Sequence, residues 1–113
     1  MKSRGDLPEV VRLRDGRGER PENAAGIGLF WYEPEVWALP ISPAARVLYA
    51  GLCSFLAQGE INRKDLRGTL KDHPDEAIAE AIDELVGKGL LLPVSGGGLP
   101  TYEVRSARGP EGR

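Results

Sequence analysis

Four cations on one predicted helix carry the clearest chemistry in this chain. Arg63, Lys64, Arg67 and Lys71 lie at spacings of three and four, which gathers them on one side of a helix. Such a face can contact the phosphates of double-stranded DNA. An ordinary solvated helix face has the same pattern, and Asp65 and Asp72 dilute it. Arg105, just after the last predicted strand, is a fifth candidate phosphate contact. A second set is aromatic. Phe30, Trp31 and Trp37 sit close together in sequence, and tryptophans are enriched in interfaces. They are candidates either for the core or for a surface that binds a second copy or another protein.

Other reactive residues point away from an enzyme. His73 is the only histidine and Cys53 the only cysteine. One of each cannot build a Cys/His zinc site. Cys53 falls on the buried stripe of a helix with no second histidine to activate it, which reads as a small core residue. Ser95-Gly96-Gly97-Gly98 joins two strands and opens no helix, so it is not a phosphate-binding loop. No cofactor and no metal are expected.

Composition sets the bounds. The chain has 113 residues and a formal net charge of −2. That length suits one domain, and that charge supplies no global attraction to nucleic acid. No apolar run approaches the roughly 20 residues that span a bilayer. The first residues are charged and do not read as a signal peptide. A single cysteine suits a reducing compartment, so the expected location is the cytoplasm, with no membrane partner.

Residues 1–25 contain six positive and five negative side chains, with Gly5, Gly16, Gly18 and Pro21 among them. They read as a flexible polar arm. Residues 26–105 read as the domain, and residues 106–113 as a second polar tail. Within the domain, residues 29–32 are strand-like, and Pro34 opens a short helix. Ser42-Pro43 caps a helix over residues 43–57 whose Val47, Leu48, Leu52, Phe55 and Leu56 share one side. Ile61 allows a very short strand. Asn62 caps a helix over residues 63–71, with Asp65 in a capping-box arrangement. A third helix starts at Pro74 and closes at Gly89, with one stripe of Ala77, Ile78, Ala81, Ile82, Leu85 and Val86. Residues 90–94 and 101–104 read as a hairpin. The expected fold class is mainly α with a small β-hairpin: a winged helix-turn-helix, three helices plus a wing.

Phe30-Trp31-Tyr32-Glu33-Pro34, Ser42-Pro43-Ala44-Ala45-Arg46-Val47-Leu48, Lys64-Asp65-Leu66, Ala81-Ile82-Asp83-Glu84-Leu85 and Lys88-Gly89-Leu90-Leu91 together resemble the N-terminal winged-helix domains of DnaD-like and phage replication-initiation proteins. The resemblance spans about residues 29–104 and rests mainly on core and cap positions. It implies a DNA-associated accessory in replication or transcription regulation. The third helix departs from that pattern. Its outward positions hold Asp75, Glu76, Glu80, Asp83 and Glu84 against Lys88 alone, the wrong sign for entering a groove lined with phosphates. Two functions therefore stand: DNA association, with phosphate contacts from the second helix and from the arginines of the polar arms, or protein interaction, including a homodimer, through the acidic helix and the aromatic lead-in.

Overall fold

A computed structural model describes residues 7–28, 30–95 and 98–107. Its elements in chain order are strands β1 (Val10–Gly16), β2 (Ala25–Ile27) and β3 (Phe30–Tyr32), a 3-10 helix (Pro34–Ala38), and helix α1 (Pro43–Cys53). Strand β4 (Glu60–Asn62), helices α2 (Arg63–Thr69) and α3 (Asp75–Gly87), and strands β5 (Leu91–Val94) and β6 (Thr101–Arg105) follow. The molecule is α/β. Its main sheet has four strands in the order β4-β1-β6-β5, and β2 and β3 form a second, two-stranded sheet.

This overturns the mainly α expectation of a three-helix bundle with a small wing. The difference lies in residues 10–16, expected to belong to a solvated arm. They form β1, which pairs antiparallel with β4 and parallel with β6, with Arg12 opposite Thr101 and Arg14 opposite Glu103. The terminal hairpin is therefore one half of a mixed sheet. Successive strand residues face opposite sides, and β1 uses both. Val11 and Leu13 point into the core, at 3% and 5% exposure, while Arg12 and Arg14 point to solvent.

The inner face meets α1 and α3. Leu48, Tyr49 and Leu52 of α1 pack with Ile78 and Leu85 of α3, Ile61 of β4, Leu91 of β5 and Val104 of β6. Each burial removes apolar area from water, worth roughly 1.5–3 kcal/mol per large side chain. Gly51 lets the end of α2 approach α1, since a Cβ there would come within 2.5 Å of the Thr69 methyl.

The helix starts follow local chemistry. Ser42 Oγ accepts from Ala45 N at 3.1 Å, with Pro43 in the first turn where no N–H is needed. Asn62 Oδ1 accepts from Asp65 N at 2.8 Å. Helix α1 ends at Cys53, shorter than the stripe to residue 57 suggests, and turns lead on to Gly59. Gly89 takes φ 78° to close α3. Arg105 N donates to Leu90 O at 2.9 Å, so Leu90 and Leu92 face β6. Pro93 then faces the open edge, where its missing donor costs nothing and discourages further pairing.

Two buried charged residues tie the smaller sheet to the larger one. Arg17 grips Asp15 with Nε–Oδ1 and Nη2–Oδ2 contacts of 2.9 Å each, donates to the Trp31 carbonyl, and lies 3.6 Å from the Trp31 ring centre. Glu33 is fully buried and accepts from Ser106 Oγ at 2.7 Å and Ala107 N at 2.6 Å. Ser106 and Ala107 thus belong to the domain and not to the polar tail expected from residue 106. Residues 108–113 lie outside the described residues.

Candidate nucleic-acid interface

Helix α2 presents its four cations unequally. Lys64, Arg67 and Lys71 are exposed, and Arg63 is half-buried. Arg67 is engaged with the first residue of α3. Its Nε and Nη2 donate to Asp75 Oδ1 and Oδ2 at 3.0 and 2.7 Å. Those hydrogen bonds, more than any other influence, hold the Asp75 carboxyl below its ordinary value. The helix face is therefore not a row of four unengaged cations. The sequence could not show this, because Asp75 belongs to the next helix.

Arg63 and Arg67 line one side of a groove of about 610 Å³, with Pro8, Pro100 and Tyr102 across it. Arg63 Nε is buried there and finds no hydrogen-bond partner among the described residues. A neighbouring groove, also about 610 Å³, is lined by Arg12, Arg14, Ser95 and Thr101. The two grooves share no lining residue, and Asp75 lies in the first beside Arg67. Arg12 of the second and Pro100 of the first are linked by a backbone hydrogen bond, Arg12 N to Pro100 O at 2.9 Å. Arg12 and Arg14 make no ion pair among the described residues. The sequence offers them only as arginines of a polar arm, with no place on a strand. Their signal was the alternation Val11-Arg12-Leu13-Arg14, which marks a half-buried strand.

Acids interrupt the sheet face. Glu60 stands opposite Arg12 and Glu103 opposite Arg14. Arg105 reaches Glu103 at 3.4 Å with 40% of its side chain exposed. Its expected role as a phosphate contact is therefore shared with a carboxylate. Tight turn geometry joins α2 to α3: Asp72 takes φ 67°, and His73 Nδ1 lies 3.1 Å from Lys71 O. Residues 96 and 97, at the expected wing tip, lie outside the described residues.

Helix α3 remains acidic outward. Glu76, Glu80 and Asp83 are exposed. Asp75 serves Arg67, and Glu84 accepts from Ser42 Oγ and Ser42 N at 2.7 Å each. That pair of hydrogen bonds lowers the Glu84 carboxyl.

The aromatic candidates separate. Trp31 is buried, at 7% exposure under Arg17, and is a core residue. Its expected interface role is corrected, because strand alternation turns it inward. Phe30 and Tyr32 face the other way. Tyr32 meets Trp37 edge to face at 5.8 Å and accepts from Trp37 Nε1 at 3.3 Å. Ile27, opposite Phe30 in the hairpin, is 85% exposed. Exposed Ile27, Phe30 and Trp37 and half-buried Tyr32 form one strip, of which Ile27 is the member that nothing in the sequence pointed to. Arg20 donates to Gly28 O and Gly26 O at 2.8 and 3.3 Å, covering the edge of β2 beside it.

Cys53 is fully buried beside Tyr49 and Arg17, and burial pushes its thiol up to about 12. A thiol so hard to ionise is a poor nucleophile. Among the described residues, no group of three or more His, Cys, Asp or Glu could hold a metal, and no helix is long and apolar enough to cross a membrane. Comparison with protein-family models, curated proteins and solved structures yields no match to this chain.

Proposed function

We propose that this domain is a non-enzymatic DNA-associated module that grips the phosphate backbone of duplex DNA without reading its bases. One observation carries the proposal: two grooves of the domain are each lined by a pair of arginines, Arg63 and Arg67 of α2 in one, Arg12 and Arg14 of β1 in the other. Guanidinium groups bind phosphate through paired hydrogen bonds, and backbone contacts position a protein without conveying sequence. The acidic α3 is repelled from the groove floor, so base readout is not part of the function. Lys64, Lys71 and Arg105 add charge. Such a domain would work in the cytoplasm as an accessory to replication or transcription.

Fluorescence anisotropy with labelled duplexes tests this. With about four phosphates neutralised, the slope of log affinity against log salt should be roughly −3 to −4. The Arg12→Ala, Arg14→Ala double variant should reduce that slope by about 2 and weaken all sequences alike. Asp75→Asn should strengthen binding, because it releases Arg67 and removes a negative charge. Absence of binding at low salt, or a double variant that binds like wild type, would sink the proposal.

The exposed strip favours a second reading, in which the protein also binds a second copy of itself. Contiguous apolar surface of this kind marks an interface. Arg20 and Glu22, both exposed, flank it with opposite signs, so a two-fold axis would set each against its opposite. Sedimentation velocity should show a concentration-dependent dimer that the Ile27→Ser, Trp37→Ser double variant loses. A monomer at every concentration would rule this reading out.

A further inference from the structure

A third groove lies apart from the two that Arg63, Arg67, Arg12 and Arg14 line. Its volume is about 770 Å³, within the range of small-molecule sites. Four parts of the chain build it: the end of β1 with Gly16 and the Asp15-paired Arg17, the link from the 3-10 helix to α1, the turn from α3 into β5, and the end of β6. Leu39, Ile41, Leu90 and Leu92 give it apolar walls, and Lys88 and Arg105 supply cations. Ile41 and Leu90 are buried at 7% and 5% exposure, while Leu92 is 46% exposed. The groove is thus firm at its base and open at the side of β5.

Its charge is one-sided. No carboxylate lines it among the described residues. Glu84, the helical neighbour placed to pair with Lys88, has both oxygens hydrogen-bonded to Ser42. Among the described residues, the Arg105 side chain has only the 3.4 Å contact with Glu103. Two cations at the mouth of an apolar groove match an anionic head attached to an apolar body.

We propose that this groove binds a small amphiphilic anion, a carboxylate or phosphate monoester on an aliphatic chain. The head group lies against Lys88 and Arg105. The chain covers Leu92 and runs between Ile41 and Leu90. The site shares only Arg105 with the proposed duplex surface, and binding of a small anion here does not require duplex binding, so it survives failure of that reading.

Decanoate, decyl phosphate and decanol, each kept below its micelle concentration or solubility limit, are the probes. Titrated into isotopically labelled protein, at least one anion should shift the backbone amides of Ile41, Gly89, Leu90 and Leu92 saturably. The tighter of the two anions identifies the head group. Decanol, with the same chain and no charge, should bind about tenfold more weakly, the loss expected when a hydrogen bond to a charged group is removed. Lys88→Gln should weaken the anion by a similar factor. Leu92→Asp, which puts a carboxylate on an already exposed rim, should do so without moving the urea midpoint. No saturable shift with either anion, equal binding of decanol, or unchanged binding in both variants would overturn the proposal.

Discussion

Leu13→Asp should unfold this domain, whereas Arg14→Thr, one residue along, should leave its stability within about 0.5 kcal/mol of wild type. The contrast follows from the pleat of β1. Leu13 is 5% exposed and packs in the core, and Arg14 points to solvent. An aspartate at position 13 would bury a charge with no partner, costing on the order of 5 kcal/mol. Small domains hold only about 5–15 kcal/mol in total. The loss also spreads, because among the described residues β1 is the only strand paired with β4 and one of two paired with β6. Circular dichroism and urea unfolding of the two variants decide the matter. Were residues 10–16 a solvated arm, both changes would be harmless.

Arg17→Ala should cost about 3 kcal/mol, read as a shift of the urea midpoint at neutral pH. The side chain is 1% exposed, while its partner Asp15 is 42% exposed. Solvent screens that ion pair, so the pair contributes the smaller part. The larger part comes from the Trp31 carbonyl left without its donor and from the cation removed from the face of the indole. Arg17→Lys should recover less than half, since an ammonium cannot hold both carboxylate oxygens and the carbonyl together.

The pH dependence has a definite sign. Burial by itself would raise the Asp15 carboxyl, but the hydrogen bonds and charge of Arg17 outweigh it and hold the group below 3.8. A carboxyl lowered in the folded state stabilises above its unfolded value, and that contribution fades as pH falls through the folded value. Wild type should lose this increment from roughly pH 5 downward. Arg17→Ala lacks it, so the gap between the two should narrow in acid. A gap that stays constant down to pH 2 would show that the Asp15 pair contributes nothing.

The two grooves and the strip show why a functional surface is harder to read than a helix. Arg63 and Arg67 were visible as site residues because helical spacing is local. Arg12 and Arg14 join them only through pairing with β4 and β6, which come from the middle and the far end of the chain. The same pairing sets Glu60 and Glu103 among them, which no charge count along the sequence could show. Ile27 joined the aromatic strip through one cross-strand register.

On α1, Val47 is exposed and Tyr49 buried, against the expected stripe, whereas the helix starts at Ser42 and Asn62, the apolar stripe of α3, the turn at Gly89 and the acidity of α3 were settled by the sequence alone. Each depends on residues within about four positions, where capping and helical geometry act. Tertiary structure decided the rest: the placement of β1 inside the sheet, the burial of Arg17, Trp31 and Glu33, and the pairing of Arg67 with Asp75. A strand makes no hydrogen bonds within itself, so its place depends on partners that the local sequence does not contain. Buried charges follow the same logic. Arg17 reads as part of a polar arm, and nothing local marks Glu33 for burial; Trp31, Ser106 and Ala107 supply the hydrogen bonds that let the two leave water.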